Sequence, residues 1–160
     1  MAVRARTPLT LRQRAIALLA RRDYARAELA SRLAREGASD VEIDALVDEL
    51  TTLGYLSDAR VAAALVQQRG QRFGARAIAH ALRAKGIDAE AAKTALASLD
   101  RTQEFANGRA LWERRFGTAP RSPREKAAQL RFLLSRGFSR DVASRVLRFS
   151  AAAVDEEQLG

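Results

Sequence analysis

The sequence contains no cysteine, only three prolines and a single histidine, His80. A chain without cysteine holds neither disulfides nor thiolate-bound metal, and one histidine excludes metal sites that need a histidine pair. Gly70 and Gly74 are not followed by the Lys-Ser/Thr pair that a phosphate-binding loop requires. We therefore expect no enzyme activity, no cofactor and no metal.

Long apolar runs are also missing. The apolar segment 15–20 follows two arginines and is far too short for a signal peptide core or a membrane span. We expect a cytoplasmic protein that makes no membrane contact. No segment shows sustained alternation of apolar and polar residues, so a β-sheet is not expected.

Acidic side chains are too few to balance the basic ones. The chain has 28 Lys and Arg residues against 19 Asp and Glu, which gives a formal net charge of +9. Residues 1–53 hold nine basic and eight acidic side chains, whereas residues 101–160 hold 12 and 7. Positive charge therefore increases toward the C-terminal end, and such a surface attracts nucleic acid or an acidic protein groove.

A glycine-centred phrase occurs three times, as "LAREGASDVEIDAL", "LRAKGIDAEAAKTAL" and "LSRGFSRDVASRVL". Its glycines, Gly37, Gly86 and Gly137, lie 49 and 51 residues apart, a period typical of helical arrays. In the chain a core leucine stands four residues before each of these glycines, and a helix-capping residue stands two after it. These pairs are Leu33 and Ser39, Leu82 and Asp88, and Leu133 and Ser139.

The phrases predict three units, in each of which the glycine joins the second helix to the third. The predicted fold class is all-α, with three tandem three-helix, helix-turn-helix-like repeats that form an elongated, curved array. The predicted boundaries are a flexible N-terminal tail at 1–9, repeat 1 at 10–54, repeat 2 at 55–99, repeat 3 at 100–150 and an acidic flexible tail at 151–160.

Helical spacing also predicts which basic residues face a partner. In the fifth helix, Ile78 and Leu82 face the core, so three residues lie together on the other side. In the ninth helix, an apolar stripe from Val142 to Leu147 leaves two arginines facing outward. The candidate binding residues, with two arginines of the eighth helix added, are Arg76, His80, Arg83, Arg124, Arg131, Arg145 and Arg148.

Four longer stretches occur in a fixed order: "RRDYARAELASRLAREG", "DELTTLGYLSDARVAAALVQQRGQRFGARAIAHALRAKGID", "ALWERRFG" and "KAAQLRFLLSRGFS". Together they resemble the RecX family, regulators of the RecA recombinase, from about Leu11 to Leu147. The resemblance implies a modular helical protein that lies in the groove of the RecA filament on single-stranded DNA. It further implies that the protein blocks filament growth or promotes disassembly, and so restrains recombination and the SOS response. We expect a monomer, with direct contact to single-stranded DNA left open.

Two other functions remain open from the residues alone. The first is a helix-turn-helix transcriptional regulator, which needs a recognition helix that offers Arg, Asn or Gln to base edges. The third and sixth helices begin instead with acids such as Glu42 and Glu90, so only the ninth helix, with Arg140 and Arg145, could serve. The second is an adaptor array that binds peptides, for which the basic excess would be unnecessary.

Overall fold

The computed structural model describes the backbone of residues 8–157 and the side chains of residues 8–152. This part of the chain contains nine α-helices and no strand, which confirms the predicted all-α fold. The helices are α1 (Leu11–Leu19), α2 (Arg26–Arg35), α3 (Asp40–Thr52), α4 (Asp58–Arg69), α5 (Ala75–Ala84), α6 (Ala89–Ala97), α7 (Arg101–Arg115), α8 (Pro123–Ser135) and α9 (Arg140–Glu157). They form unit 1 (α1–α3), unit 2 (α4–α6) and unit 3 (α7–α9).

The three glycine turns have the backbone conformation that the sequence predicts. The φ angles of Gly37, Gly86 and Gly137 are 91°, 68° and 86°, in the left-handed region that only glycine adopts at low cost. The leucine four residues before each glycine is fully buried and accepts a backbone hydrogen bond from the residue after the glycine. The predicted caps are also confirmed, because Ser39, Asp88 and Ser139 each accept a hydrogen bond from the backbone of the following helix.

Each unit has its own small apolar core. The core of unit 1 is built around Leu29, Leu33 and Leu50, and that of unit 2 around Leu65, Ile78 and Leu82. In unit 3 the buried residues include Leu111, Trp112, Leu133, Phe138, Val142, Ala143, Val146 and Leu147. The Trp112 indole Nε1 donates to Oε1 of buried Gln129 at 2.7 Å, so this tryptophan is a core residue, as its helical spacing predicts.

Units 1 and 2 are joined by a buried aspartate. At the N-terminus of α2 the capping position is Ala25, whose side chain cannot accept a hydrogen bond from the helix and is itself buried in the core of unit 2. Asp58, at the start of α4, supplies the missing acceptor: Oδ1 accepts from the Arg26 amide at 2.8 Å and Oδ2 accepts from the Asp88 amide at 3.2 Å. One carboxylate therefore caps α2 in unit 1 and holds the capping residue of α6 in unit 2.

Units 2 and 3 are joined in the same way. The N-terminus of α5 has no cap of its own at Gly74, and Oε1 of buried Glu104 accepts from the Ala75 amide at 3.0 Å. The Gly74 amide donates to the carbonyl of Arg136 at 2.9 Å, and the Arg76 amide donates to that of Gly137 at 3.2 Å. In both junctions the second helix of one unit thus depends on the following unit for its cap.

The second helix of unit 3 does not follow this pattern. Ser122 caps α8 by accepting from the Glu125 amide at 3.2 Å, and Pro123 occupies the first helical position. Proline has no N–H there, so α8 offers no donor corresponding to Arg26 or Ala75. The second helix of unit 3 therefore takes its cap from its own unit.

An ion pair also spans the first junction. Glu28 of α2 accepts from Nη2 of Arg22 at 2.7 Å and lies 3.6 Å from Nζ of Lys85 in unit 2. The hydrogen bond from Arg22 lowers the pKa of Glu28, and the charges of Lys85 and Arg22 lower it further. The carboxylate therefore stays ionised, and bound to both cations, to a lower pH than an isolated glutamate would.

The C-terminal boundary differs from the prediction. We expected a flexible acidic tail from residue 151, whereas α9 continues to Glu157. Ser150 is buried, Ala151 and Ala152 are exposed, and a third alanine follows them in sequence; alanine has the highest helix propensity, which favours continuation of the helix here. The remaining parts of the two predicted tails, residues 1–7 and 158–160, lie outside the described residues.

Replacing Asp58 with alanine tests the junction between units 1 and 2. We expect the free energy of unfolding to fall by about 1–3 kcal/mol, because two amides lose their acceptor in a buried position. Urea denaturation followed by circular dichroism measures the change. Asp44→Ala is the matched control, since Asp44 is an exposed aspartate on α3, and its replacement should change stability by about 0.5 kcal/mol or less. Equal effects of the two substitutions would contradict this role of Asp58.

Candidate partner-binding surface

The first predicted basic face lies on α5. Ile78 and Leu82 are fully buried in the core of unit 2, as predicted. Arg76, His80 and Arg83 lie on the other side of the helix, and all three side chains are exposed. Their spacing of four and three residues places them one above another, so they form one accessible strip.

The two candidates on α8 also share one side of their helix. Arg124 and Arg131 are seven residues apart, which is close to two full helical turns. Both are exposed, whereas Gln129 and Leu133 are buried on the side that faces the core. The structure therefore leaves both arginines accessible.

The two candidates on α9 differ from each other. Val142, Val146 and Leu147 are buried as predicted, and Arg148 is exposed. Arg145 is only half-exposed, and its guanidinium carbon lies 4.9 Å from the centroid of the Phe105 ring. This contact corrects the prediction that Arg145 faces away from the unit: α7 packs against α9, and the face of the Phe105 ring attracts the cation.

The junction between units 2 and 3 brings two of these regions together. The hydrogen bonds from Gly74 and Arg76 to the α8–α9 turn fix the start of α5 against unit 3. The basic strip on α5 therefore begins at the turn from which α9 starts.

A further basic surface crosses the same junction, and the sequence analysis did not predict it. The guanidinium carbons of Arg69 and Arg136 lie 5.7 and 5.6 Å from the centroid of the Phe73 ring. Phe132 follows, with its ring centroid 5.3 Å from Arg136 and 5.9 Å from Arg115. We call this surface the arginine–phenylalanine ladder, and its members are Arg69, Phe73, Arg136, Phe132, Arg115 and Phe116.

The ladder carries uncompensated positive charge. None of its arginines forms an ion pair within the described part of the chain, whereas eight other basic residues there do. Arg69 and Arg115 are exposed, and Arg136 is half-exposed. The rings of Phe116 and Phe132 meet edge to face with centroids 5.3 Å apart, which fixes the position of the aromatic groups.

Among the side chains of residues 8–152, no group of histidine and acidic residues is arranged to hold a metal ion. None of the helices described within residues 8–157 combines the length and apolar character that a membrane span needs.

Comparison with protein families decides the classification. Residues 12–50, 57–96 and 102–147 match the models of the first, second and third three-helix domains of RecX, in that order. The chain belongs to the RecX family. RecX is a family of regulatory proteins, and the three matched segments fall within units 1, 2 and 3.

Relatives that align with the chain over most of their length are named regulatory protein RecX. The chain is 46% identical over 145 residues to regulatory protein RecX from Leptothrix cholodnii, covering 91% of this chain and 92% of that protein. It is 38% identical to regulatory protein RecX from Ralstonia nicotianae, with 94% of each chain covered.

Solved structures share the fold. The crystal structure of RecX from Lactobacillus salivarius superposes with a TM-score of 0.80 at 20% sequence identity, covering 89% of this chain and 95% of that one. A second crystal structure of regulatory protein RecX gives a TM-score of 0.74 at 20% identity, covering 85% and 70%. The three-unit helical architecture is therefore that of solved RecX proteins.

One sequence signal could have located the ladder in this chain. Arginine and phenylalanine stand near each other at the end of α4, at the end of α7 and at the end of α8, as in "RGQRF", "ERRF" and "FLLSR". Each pair is unremarkable alone, because an arginine next to an aromatic residue is common at helix ends. Only the packing of unit 2 on unit 3 brings the three pairs into one surface.

Proposed function

We propose that this chain is a negative regulator of the RecA recombinase. It binds in the groove of the RecA filament on single-stranded DNA, where it blocks filament extension or promotes disassembly. In this way it restrains recombination and the SOS response in the cytoplasm. Membership in the RecX family, together with relatives named regulatory proteins, is the observation that carries the proposal.

The arrangement of charge supports binding to such a filament. Arg76, His80 and Arg83 line one helix, and Arg124, Arg131 and Arg148 are exposed on the two helices that follow the shared junction. A filament groove is lined by DNA phosphates and by acidic protein side chains, so positive surfaces from successive units favour association there. Filament binding thus uses several units at once.

A second candidate function, sequence-specific regulation of transcription, is less well supported. A recognition helix must present its N-terminal half to the major groove. The turn at Gly137 that precedes α9 packs against Gly74 and Arg76 at the start of α5, so unit 2 occupies one side of this turn, although Arg140 itself is exposed. In α3 and α6 the corresponding positions carry Glu42 and Glu90, which duplex phosphates would repel.

The decisive experiment uses RecA filaments assembled on single-stranded DNA. We expect the purified chain to sediment with these filaments and to suppress their DNA-dependent ATPase activity, with no ATPase or nuclease activity of its own. Naked single-stranded DNA and a duplex serve as comparison ligands. Unchanged ATPase activity at saturating protein would contradict the proposal, and tight binding to one defined duplex sequence would favour the transcriptional alternative.

A further inference from the structure

We propose that the arginine–phenylalanine ladder binds single-stranded DNA directly. Its guanidinium groups contact the phosphates, and the bases stack on the accessible parts of its phenylalanine rings. This inference goes beyond the proposed function, because it concerns DNA that carries no recombinase. It assigns the contact to a surface that crosses from unit 2 to unit 3. The seven basic residues predicted from the sequence do not belong to this surface.

The charge of the ladder fits a polyanion. Arg69, Arg115 and Arg136 have no carboxylate partner among the described residues, and Arg114 beside them donates only to the carbonyl of Gln71, at 3.0 Å. An exposed arginine that has no acid nearby keeps its full charge and its hydrogen-bond donors available to phosphate. Four arginines on one surface therefore provide an electrostatic track.

The phenylalanines favour a nucleic acid over an acidic peptide. An acidic peptide requires cations alone, whereas single-stranded DNA presents both phosphates and flat, unstacked bases. In the ladder a cation and a ring alternate through four successive contacts from Arg69 to Arg115, each shorter than 6 Å. Phe73, Phe116 and Phe132 are each only partly buried, so part of every ring remains accessible. Cations and rings therefore alternate along the ladder as phosphates and bases alternate along a single strand.

The junction between units 2 and 3 holds the residues of the ladder in fixed positions relative to one another. Phe73 belongs to the turn before α5, Phe132 lies on α8, and Arg136 caps that helix. The hydrogen bond from the Gly74 amide to the Arg136 carbonyl, at 2.9 Å, links the first of these elements to the last. A site that is already arranged before binding loses less conformational entropy when the ligand is bound.

A cleft extends the ladder beyond Phe116. Its volume is about 470 Å³, and its lining includes Arg115, Arg121 and Glu125. The Glu125 carboxylate already accepts from the Arg121 amide at 2.7 Å, so part of its hydrogen-bonding capacity is used. The cleft thus has a volume in the range of small-ligand sites, at the end of the track and with two arginines beside it.

The inference predicts a preference for single strands over duplex. In a duplex the bases are stacked on one another, and their faces are not available to Phe73 or Phe132. We expect a fluorescently labelled oligothymidylate to bind the full chain more tightly than a duplex of the same length does. Fluorescence anisotropy at several salt concentrations measures both affinities.

The double variant Arg115→Ala/Arg136→Ala tests the cations. We expect its affinity for oligothymidylate to fall at least tenfold. The slope of log affinity against log salt should become shallower by about 1.4, since each lost phosphate contact on a single strand contributes about 0.7. Arg21→Ala/Arg35→Ala is the matched control: both arginines are exposed in unit 1, and the charge change is the same. The control should lose much less affinity.

The double variant Phe73→Leu/Phe132→Leu tests the rings. It leaves the net charge unchanged, so we expect affinity to fall by roughly fivefold or more while the salt slope stays the same, because stacking and not phosphate contact is lost. Thermal unfolding of each variant checks that the units remain folded. If this variant were destabilised, the arginine variant, which changes no core residue, would still decide the question.

The results of these experiments distinguish DNA binding by the ladder from the proposed inhibition of RecA. Loss of oligothymidylate binding in the ladder variants, but not in the control, supports the inference even if RecA filaments are not inhibited. Ladder variants that bind oligothymidylate like the wild type but no longer bind filaments would overturn it, because the surface would then contact an acidic protein face. Wild-type protein that does not bind oligothymidylate at all would also overturn it.

Discussion

Replacing Gly137 with alanine is expected to lower the free energy of unfolding by about 3 kcal/mol or more, from two separate causes. The φ angle of Gly137 is 86°, so any other residue is strained there. An added Cβ would also lie about 2.5 Å from the Ala77 backbone nitrogen, closer than atoms in proteins approach. Unit 2 would have to move away from unit 3, and the hydrogen bond from Arg76 would be lost. Urea or thermal denaturation measures the effect.

The chain contains its own control for this substitution. Gly37 has a φ of 91° in the equivalent turn of unit 1, but an added Cβ there would meet nothing within 4 Å. Gly37→Ala should therefore cost only the backbone strain, about 1–2 kcal/mol. Gly86, whose added Cβ would lie 2.7 Å from that of Ala27, should be intermediate. Equal effects at Gly37 and Gly137 would contradict the view that close packing at the glycine turn joins the units.

Features that depend on neighbouring residues were predictable from the sequence. The left-handed glycines, the buried leucines and the capping residues Ser39, Asp88 and Ser139 all follow from contacts within about one helical turn. The same holds for the buried side of α5 with Ile78 and Leu82, because helical periodicity alone determines which residues share a side. The repetition of the phrase then indicated the number of units.

Features that depend on distant residues were not predictable. Asp58 and Glu104 were, in sequence, ordinary acids near helix starts, a position that the helix dipole favours on its own. Their structural role is to cap helices of the preceding unit, 32 and 29 residues away along the chain. Nothing in the spacing of α2 or α5 indicates where its cap comes from, although the absence of a Ser, Thr, Asp or Asn before Arg26 and Ala75 was a signal that an outside acceptor is needed.

The candidate binding residues show the same difference between local features, which the sequence predicts, and distant contacts, which it does not. Periodicity predicted that Arg76, His80, Arg83 and Arg148 are exposed, because exposure on a helix is a local property. It failed for Arg145, whose partner Phe105 lies on another helix. It also missed the ladder, in which the contacts of Arg136 with Phe73 and of Arg115 with Phe132 join different elements. These contacts require tertiary packing, which periodicity does not describe.

Reversing the charge of Arg145 and Arg148 is expected to weaken binding to RecA filaments at least tenfold, which corresponds to about 1.4 kcal/mol. The proposal places α9 against DNA phosphate or acidic protein groups, and Arg145→Glu/Arg148→Glu replaces attraction with repulsion there. Binding of the wild type should also fall steeply with added salt. Sedimentation with filaments assembled on single-stranded DNA measures the affinity.

The control for this reversal must remove the same charge without breaking an existing ion pair. Arg12 and Arg14 are unsuitable, because they pair with Glu49 at 2.9 Å and Glu36 at 3.2 Å. Arg21→Glu/Arg35→Glu meets the requirement and should reduce filament binding far less. Because Arg145 also contacts Phe105, the single variant Arg148→Glu separates lost binding from disturbed packing: it should retain wild-type stability and still bind less tightly. If both α9 variants fold and bind filaments like the wild type, the interface does not include α9, and the exposed strip on α5 becomes the surface to reverse next.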